Sequence, residues 1–125
     1  MPETNLYEYA TVRFVPDIER EEFLNIGVVM MCKRRRWLRC RFHIDSERIL
    51  ALWPDTDCTL LARQVESFEK IAAGDKSPIG LLEAHERFRW LTAVRSACIS
   101  TSRPHPGHTE DLDKTFDYLF ERLVK

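Results

Sequence analysis

The sequence predicts an α+β fold: an antiparallel sheet of three to four strands packed with helices as a single pair of layers. Three observations predict it. Leu6 to Val15 and Trp37 to Ile44 have strand composition and, in the second, clean alternation of apolar and polar residues. Ile26 to Cys32 is apolar at nearly every position, as suits a central strand covered on both faces by helices or by a partner. Later segments repeat apolar residues at helical spacing. With 125 residues, 44 % of them hydrophobic, the chain fits a single domain, 1–125, with one core.

The elements follow in order. In Leu6 to Val15, Val12 and Phe14 point one way and Thr11 and Arg13 the other, and Pro16 ends the strand because it has no N–H to donate. A charged loop, Pro16 to Asn25, leads into the apolar strand, where Gly27 suggests a bulge or a close backbone approach. Lys33-Arg34-Arg35-Arg36 makes a four-residue turn. In the next strand Leu38, Cys40, Phe42 and Ile44 face the core, and Trp37, Arg39, Arg41 and His43 face away. This register sets Cys32 opposite Trp37 and Cys40 opposite Val29. Asp45 or Ser46 caps a short helix that runs through Trp53 and stops at Pro54. Thr56 or Asp57 caps a helix to about Ala73, with Leu61, Val65, Phe68 and Ala72 as its stripe and Gly74 after it. Leu81 to about Leu91 reads as helix, Ala93 to Ser102 as a fourth strand, and Arg103 to His108 as a rigid loop. Asp111 to Leu123 is the last helix, with Leu112, Phe116, Leu119, Phe120 and Leu123 inside.

Composition excludes several function classes. A net charge of −1 argues against a dedicated nucleic-acid binder, so any basic site must be a local patch. The four cysteines show no C-x₂-C spacing of a zinc ribbon. The start, Met1-Pro2-Glu3-Thr4-Asn5, lacks the basic and apolar run of a signal peptide, and no apolar stretch approaches the ~18–20 residues that span a bilayer. The expectation is a cytoplasmic protein with reduced thiols and no cofactor. Gly-rich phosphate loops and dinucleotide fingerprints are absent from the sequence.

Three charged groups are candidates for a site. The first is Arg13 with Trp37, Arg39, Arg41 and His43 on the sheet face opposite the core. Guanidinium groups near a Trp can hold phosphates and stack bases, although such a pattern also describes a solvated sheet face. The turn Lys33 to Arg36 has the same two readings. The second group is Arg20, Glu22 and Asn25, just before the buried strand. Glu22 there is either a base or metal ligand, or a partner that fixes the loop by pairing with Arg13 or Arg20. The third is Arg87, Arg89, Arg95 and Ser96, where Arg87 and Trp90 are helix neighbours and Arg95-Ser96 could hold an anion. His105 and His108 lack a third metal ligand nearby, and Cys98 has no readable triad, so no metal site is expected.

Two segments carry a family likeness: Tyr9-Ala10-Thr11-Val12-Arg13-Phe14-Val15-Pro16 with Arg20-Glu21-Glu22-Phe23-Leu24-Asn25-Ile26-Gly27-Val28-Val29, and Glu86-Arg87-Phe88-Arg89-Trp90-Leu91-Thr92. Through them the chain resembles, over nearly its whole length, a family of small bacterial proteins described only as a domain of unknown function. Some members of that family are encoded beside HipA-like kinases, which implies a toxin–antitoxin or phospho-signalling context. Carried over residue by residue, the family pattern points to Arg13, Glu22, Asn25, Gly27, Arg87, Arg89, Arg95 and Ser96.

Three function classes remain. One is a non-enzymatic binding or regulatory module that engages a protein partner, such as a HipA-like kinase, through an Arg/Glu-rich surface. The second is a phosphate-ester or nucleic-acid-processing enzyme in which the arginines hold phosphate and Glu22 acts as base or binds a metal. The third is simple RNA or DNA binding through Lys33 to Arg41, which predicts affinity that falls steeply with salt.

Overall fold

The computed structural model describes residues 3–93 and 98–125. Its centre is β2 (Leu24–Cys32), in which every residue from Ile26 to Cys32 is buried. β2 pairs antiparallel with β1 (Asn5–Phe14) on one side and β3 (Trp37–Phe42) on the other. Beyond β1, the edge is completed by β4 (Ile99–Thr101) and β5 (His105–Thr109), both antiparallel to it. The fold is α+β, and the sheet has five strands rather than three or four.

The fifth strand is where a rigid loop was expected. β4 lies beside Val12 to Phe14 and β5 beside Asn5 to Tyr9, so the two are halves of one edge. Between them the Ser102 hydroxyl accepts from the Thr11 N–H at 3.0 Å. The prolines 104 and 106 hid the strand in the sequence, yet an edge tolerates residues that cannot donate to a ladder. Gly107 is the position where Tyr7 crosses: a Cβ there would sit 2.5 Å from the Tyr7 ring. Of the strand expected over Ala93 to Ser102, only Ile99–Thr101 is strand, and residues 94–97 lie outside the described residues.

Helices cover both faces, giving three layers instead of the expected two. On one face, α2 (Cys58–Ala72) and α3 (Ala84–Leu91) set Phe68, Ala72, Phe88 and Leu91 against Ala10, Val12, Val29 and Met31. The short α1 (Ser46–Leu52) adds Ile49 to a neighbouring cluster with Phe14, Ile26, Leu61 and Val65. On the other face, α4 (Leu112–Leu123) packs Phe116 and Phe120 onto Val28 and Met30. Each buried phenylalanine contributes about 1.5–3 kcal/mol by its removal from water. The all-apolar character of β2 thus has its cause within the chain.

Capping places the helices. Asp45, Asp57 and Asp111 each accept a backbone N–H three residues on, at 3.1, 3.0 and 3.1 Å. Gly74 follows α2 at φ +82°, in the left-handed region that favours glycine. α3 begins at Ala84, not at Leu81, and Leu81 is exposed. The competing local structure is a turn in which Asp75 accepts from the Ser77 N–H and the Ser77 hydroxyl accepts from the Gly80 N–H.

The register matches expectation at the hairpin, with Cys32 opposite Trp37 and Cys40 opposite Val29. A bulge interrupts β1–β2: Val12 pairs with Gly27, but Arg13 pairs with Asn25, leaving Ile26 as the extra residue. Gly27 is also a close approach, because a Cβ there would lie 2.6 Å from Phe42 Cδ1 and 2.9 Å from the Arg41 carbonyl oxygen.

Candidate docking surface at the end of the sheet

The arginines of β3 are held by α4. Arg39 Nη1 lies 2.5 Å from Asp113 Oδ1, and Arg41 Nη1 lies 3.1 Å from Asp117 Oδ1. Both guanidinium groups sit over the Phe116 ring, at 4.9 and 5.1 Å, and Arg41 also over Phe120 at 5.2 Å. Trp37 meets the same Phe116 edge-to-face with centroids 6.1 Å apart. The face expected to point away from the core is therefore the seat of a helix. Its arginines line the flank of that helix, with their charges already matched. His43 follows β3 and is exposed. In the turn, Arg34 and Arg35 reach back to Glu3.

The third group divides. Arg87 turns inward and donates to the carbonyls of Leu82 at 2.7 Å and Ala72 at 3.4 Å, tying the end of α2 to the start of α3. Arg89 forms a two-point pair with Glu8 on β1, which raises its pKa further and keeps it charged. Arg95 and Ser96 lie outside the described residues. Glu22 pairs with Arg20 inside its own loop at 2.5 Å, and this hydrogen bond raises the Arg20 pKa. Among the described residues the arginine groups do not converge: one flanks α4, one joins α2 to α3, one lies along β1.

Arg13 is different. It leaves the bulge with its guanidinium over the Phe23 ring, 4.1 Å from the centroid, and Phe23 is itself exposed. Its Nε is buried without a hydrogen-bond partner among the described residues. Asn25, its cross-strand neighbour, donates from Nδ2 to the Leu123 carbonyl at 3.3 Å, while its Oδ1 is buried and unpartnered. The loop 15–23 thus bends over the end of the sheet, turning at Glu21 with φ +55°.

On the other side of that loop lies a feature that the charged residues did not announce. A cavity of about 430 Å³ opens between the loop, α1 and α2. Phe14, Trp53 and Leu61 line it with Leu52 and Leu60, and Asp17, Asp55 and Asp57 stand among its lining residues. Phe14 and Trp53 meet edge-to-face at 5.7 Å. Leu52 is 54 % exposed and Leu60 48 %, so the apolar lining continues onto the open surface. The available signal was α1 itself: Ile49, Leu50, Leu52 and Trp53 give a two-turn helix more apolar residues than one buried stripe needs.

Histidines 105 and 108 lie three apart on β5 and so point to opposite faces of the strand. Among the described residues, Glu83, His85 and Glu86 are the group whose ligand atoms come within 4.8 Å of one another, and both carboxylates are exposed. No helix among the described residues is long and apolar enough to cross a membrane.

Fold and surface together define a small α+β protein in which helices seal both faces of the sheet and an apolar concavity opens at its end. Residues 9–124 match the model of a family described as protein of unknown function (DUF3037), and the chain belongs to that family. No curated protein and no solved structure matches it.

Proposed function

We propose that this protein is a binding or regulatory module that engages a protein partner through the end of its sheet. The observation that carries the reading is the apolar cavity, continued outward by exposed Leu52 and Leu60. Contiguous apolar surface around a concavity is what protein contacts use. The charged loop with Arg20 and Glu22, and Arg13 stacked on Phe23, extend the same end with polar groups suited to an interface rim. The pairing of Arg39 and Arg41 with Asp113 and Asp117 speaks against a nucleic-acid surface on β3, since those cations already have counter-charges. The family resemblance implies a HipA-like kinase as one partner to look for.

The test is a nuclease-treated pull-down from the native host with wild type, Leu52→Asp/Leu60→Asp, and Arg13→Ala/Glu22→Ala, each of verified fold. Both leucines are exposed, so aspartate at these positions spares the core. A protein retained after nuclease by wild type and lost with the leucine variant is the expected result. A wild-type lane whose captured material disappears with nuclease would refute the reading in favour of nucleic acid.

A further inference from the structure

The cavity has a charge as well as a shape. Three carboxylates line it, Asp17, Asp55 and Asp57, and no Lys, Arg or His does so among the described residues. None of the three is in an ion pair there. Two are held by their own backbone: Asp17 accepts from the Glu19 N–H and Asp57 from the Leu60 N–H, each at 3.0 Å. These bonds fix two of the carboxylates in position; Arg20, on the same loop, interacts electrostatically with Asp17, and among the described residues no cation lines the cavity itself.

We infer that the cavity receives a basic amphipathic segment of a partner protein, with apolar side chains in the cleft and Lys or Arg side chains against Asp17, Asp55 and Asp57. The inference rests on the docking function proposed above and adds the chemistry of the partner. Apolar anchors match Leu52, Leu60, Trp53 and Phe14. Like charges across an interface are costly, so a lining whose charged side chains are all acidic among the described residues disfavours a nucleic acid, an acidic peptide or an anionic lipid surface. Opposite charges bring the right segment in faster and set its register.

The experiment measures fluorescence anisotropy of three short labelled peptides with the full chain: an amphipathic Leu/Lys peptide, a Leu/Glu peptide of the same pattern, and a Ser/Lys peptide. The protein variants are Asp17→Asn/Asp55→Asn/Asp57→Asn and Leu52→Asp/Leu60→Asp. Asparagine keeps the side-chain oxygen that caps α2 and holds the loop turn, so the triple variant loses charge and not fold. The Leu/Lys peptide is expected to bind wild type and to weaken as salt shortens the screening length. Exposed pairs of this kind predict that the triple variant weakens it by about three- to a hundred-fold. The leucine variant is expected to abolish it. Equal binding of the Leu/Glu peptide, or a flat salt dependence, would overturn the inference about charge and leave the docking function standing. Equal binding of the Ser/Lys peptide, or Leu/Lys binding that survives the leucine variant, would overturn the cleft as the seat. Absence of Leu/Lys binding at about 1 mM overturns the inference, while a nuclease-resistant, leucine-dependent partner in the pull-down would still support docking.

Discussion

Removing both β3 arginines, Arg39→Ala/Arg41→Ala, decides whether that cationic row is a ligand surface or the seat of α4. Each ion pair is partly solvated, with arginine side chains 41 and 40 % exposed and aspartates 69 and 58 %, so each contributes about 0.2–1 kcal/mol. Each guanidinium also stacks on Phe116, at 4.9 and 5.1 Å, adding about 0.5–1 kcal/mol apiece. Because both share one ring, the terms do not simply add. The double variant should lose about 1–3 kcal/mol, or about 3–15 °C in Tm for a domain of this size. The control removes two other exposed cations, Lys33→Ala/Arg103→Ala, and should stay within about 0.5 kcal/mol. Thermal unfolding followed by circular dichroism reads both. An unchanged Tm in the Arg39/Arg41 variant, together with loss of a salt-dependent affinity for RNA or DNA, would refute the structural assignment and revive the nucleic-acid one.

Three further predictions concern stability. Arg87→Ala should cost about 1.5–3 kcal/mol in urea unfolding, because the guanidinium joins the carbonyls of Leu82 and Ala72. Arg87→Lys should recover only part of this, since an ammonium cannot span both acceptors with a planar fork; full recovery would show that charge alone matters. Gly27→Ala should lower the urea midpoint by the equivalent of about 1–3 kcal/mol, outweighing the gain from a stiffer unfolded chain. The contact at 2.9 Å is with the Arg41 backbone, which cannot rotate away, and an unchanged midpoint would mean that β3 shifts freely. Burial, with Glu69 nearby, pushes the Cys40 thiol up to about 12 from 9.0. Below the lower value both states keep the proton and Cys40 makes no pH-dependent difference. Between the two values the unfolded chain releases its proton and the folded chain does not, so stability falls by about 1.4 kcal/mol per pH unit. Cys40→Val should flatten that part of the alkaline stability curve, and identical slopes for variant and wild type would count against the buried thiol.

The fold was legible wherever one residue type served one local purpose. Leu61, Val65, Phe68 and Ala72 repeat at helical spacing, Asp57 caps them and Gly74 closes them, and the structure keeps that reading whole. The Cys32–Trp37 register followed from the turn length alone. Elements that depend on tertiary pairing were harder to read. β5 contains Pro106 and Gly107 and has no intrinsic strand preference; it is a strand because β1 offers an open edge. The start of α3 was misplaced because Asp75 and the Ser77 hydroxyl accept from the Ser77 and Gly80 N–H groups and the Leu81 N–H donates to the Ser77 carbonyl, a turn that periodicity does not encode.

The surface was less legible, for a reason specific to charge. Arginine spacing in sequence says nothing of which carboxylate will lie opposite, and here Asp113, Asp117 and Glu8 come from 74, 76 and 81 positions away and answer Arg39, Arg41 and Arg89. A cluster of arginines along the chain became three separate structural attachments in space. The charged side chains that line the apolar cavity among the described residues are of opposite sign: Asp17, Asp55 and Asp57, scattered along the sequence and joined only when the loop after β1 folds over the α1–α2 corner. Each of these acids reads locally as a turn or cap residue, and each does serve as one or sit beside one. Their second property, a shared place around an apolar cleft, belongs to the tertiary structure. That is why the partner's chemistry is better argued from the acids that line the cleft than from the arginines that drew attention first.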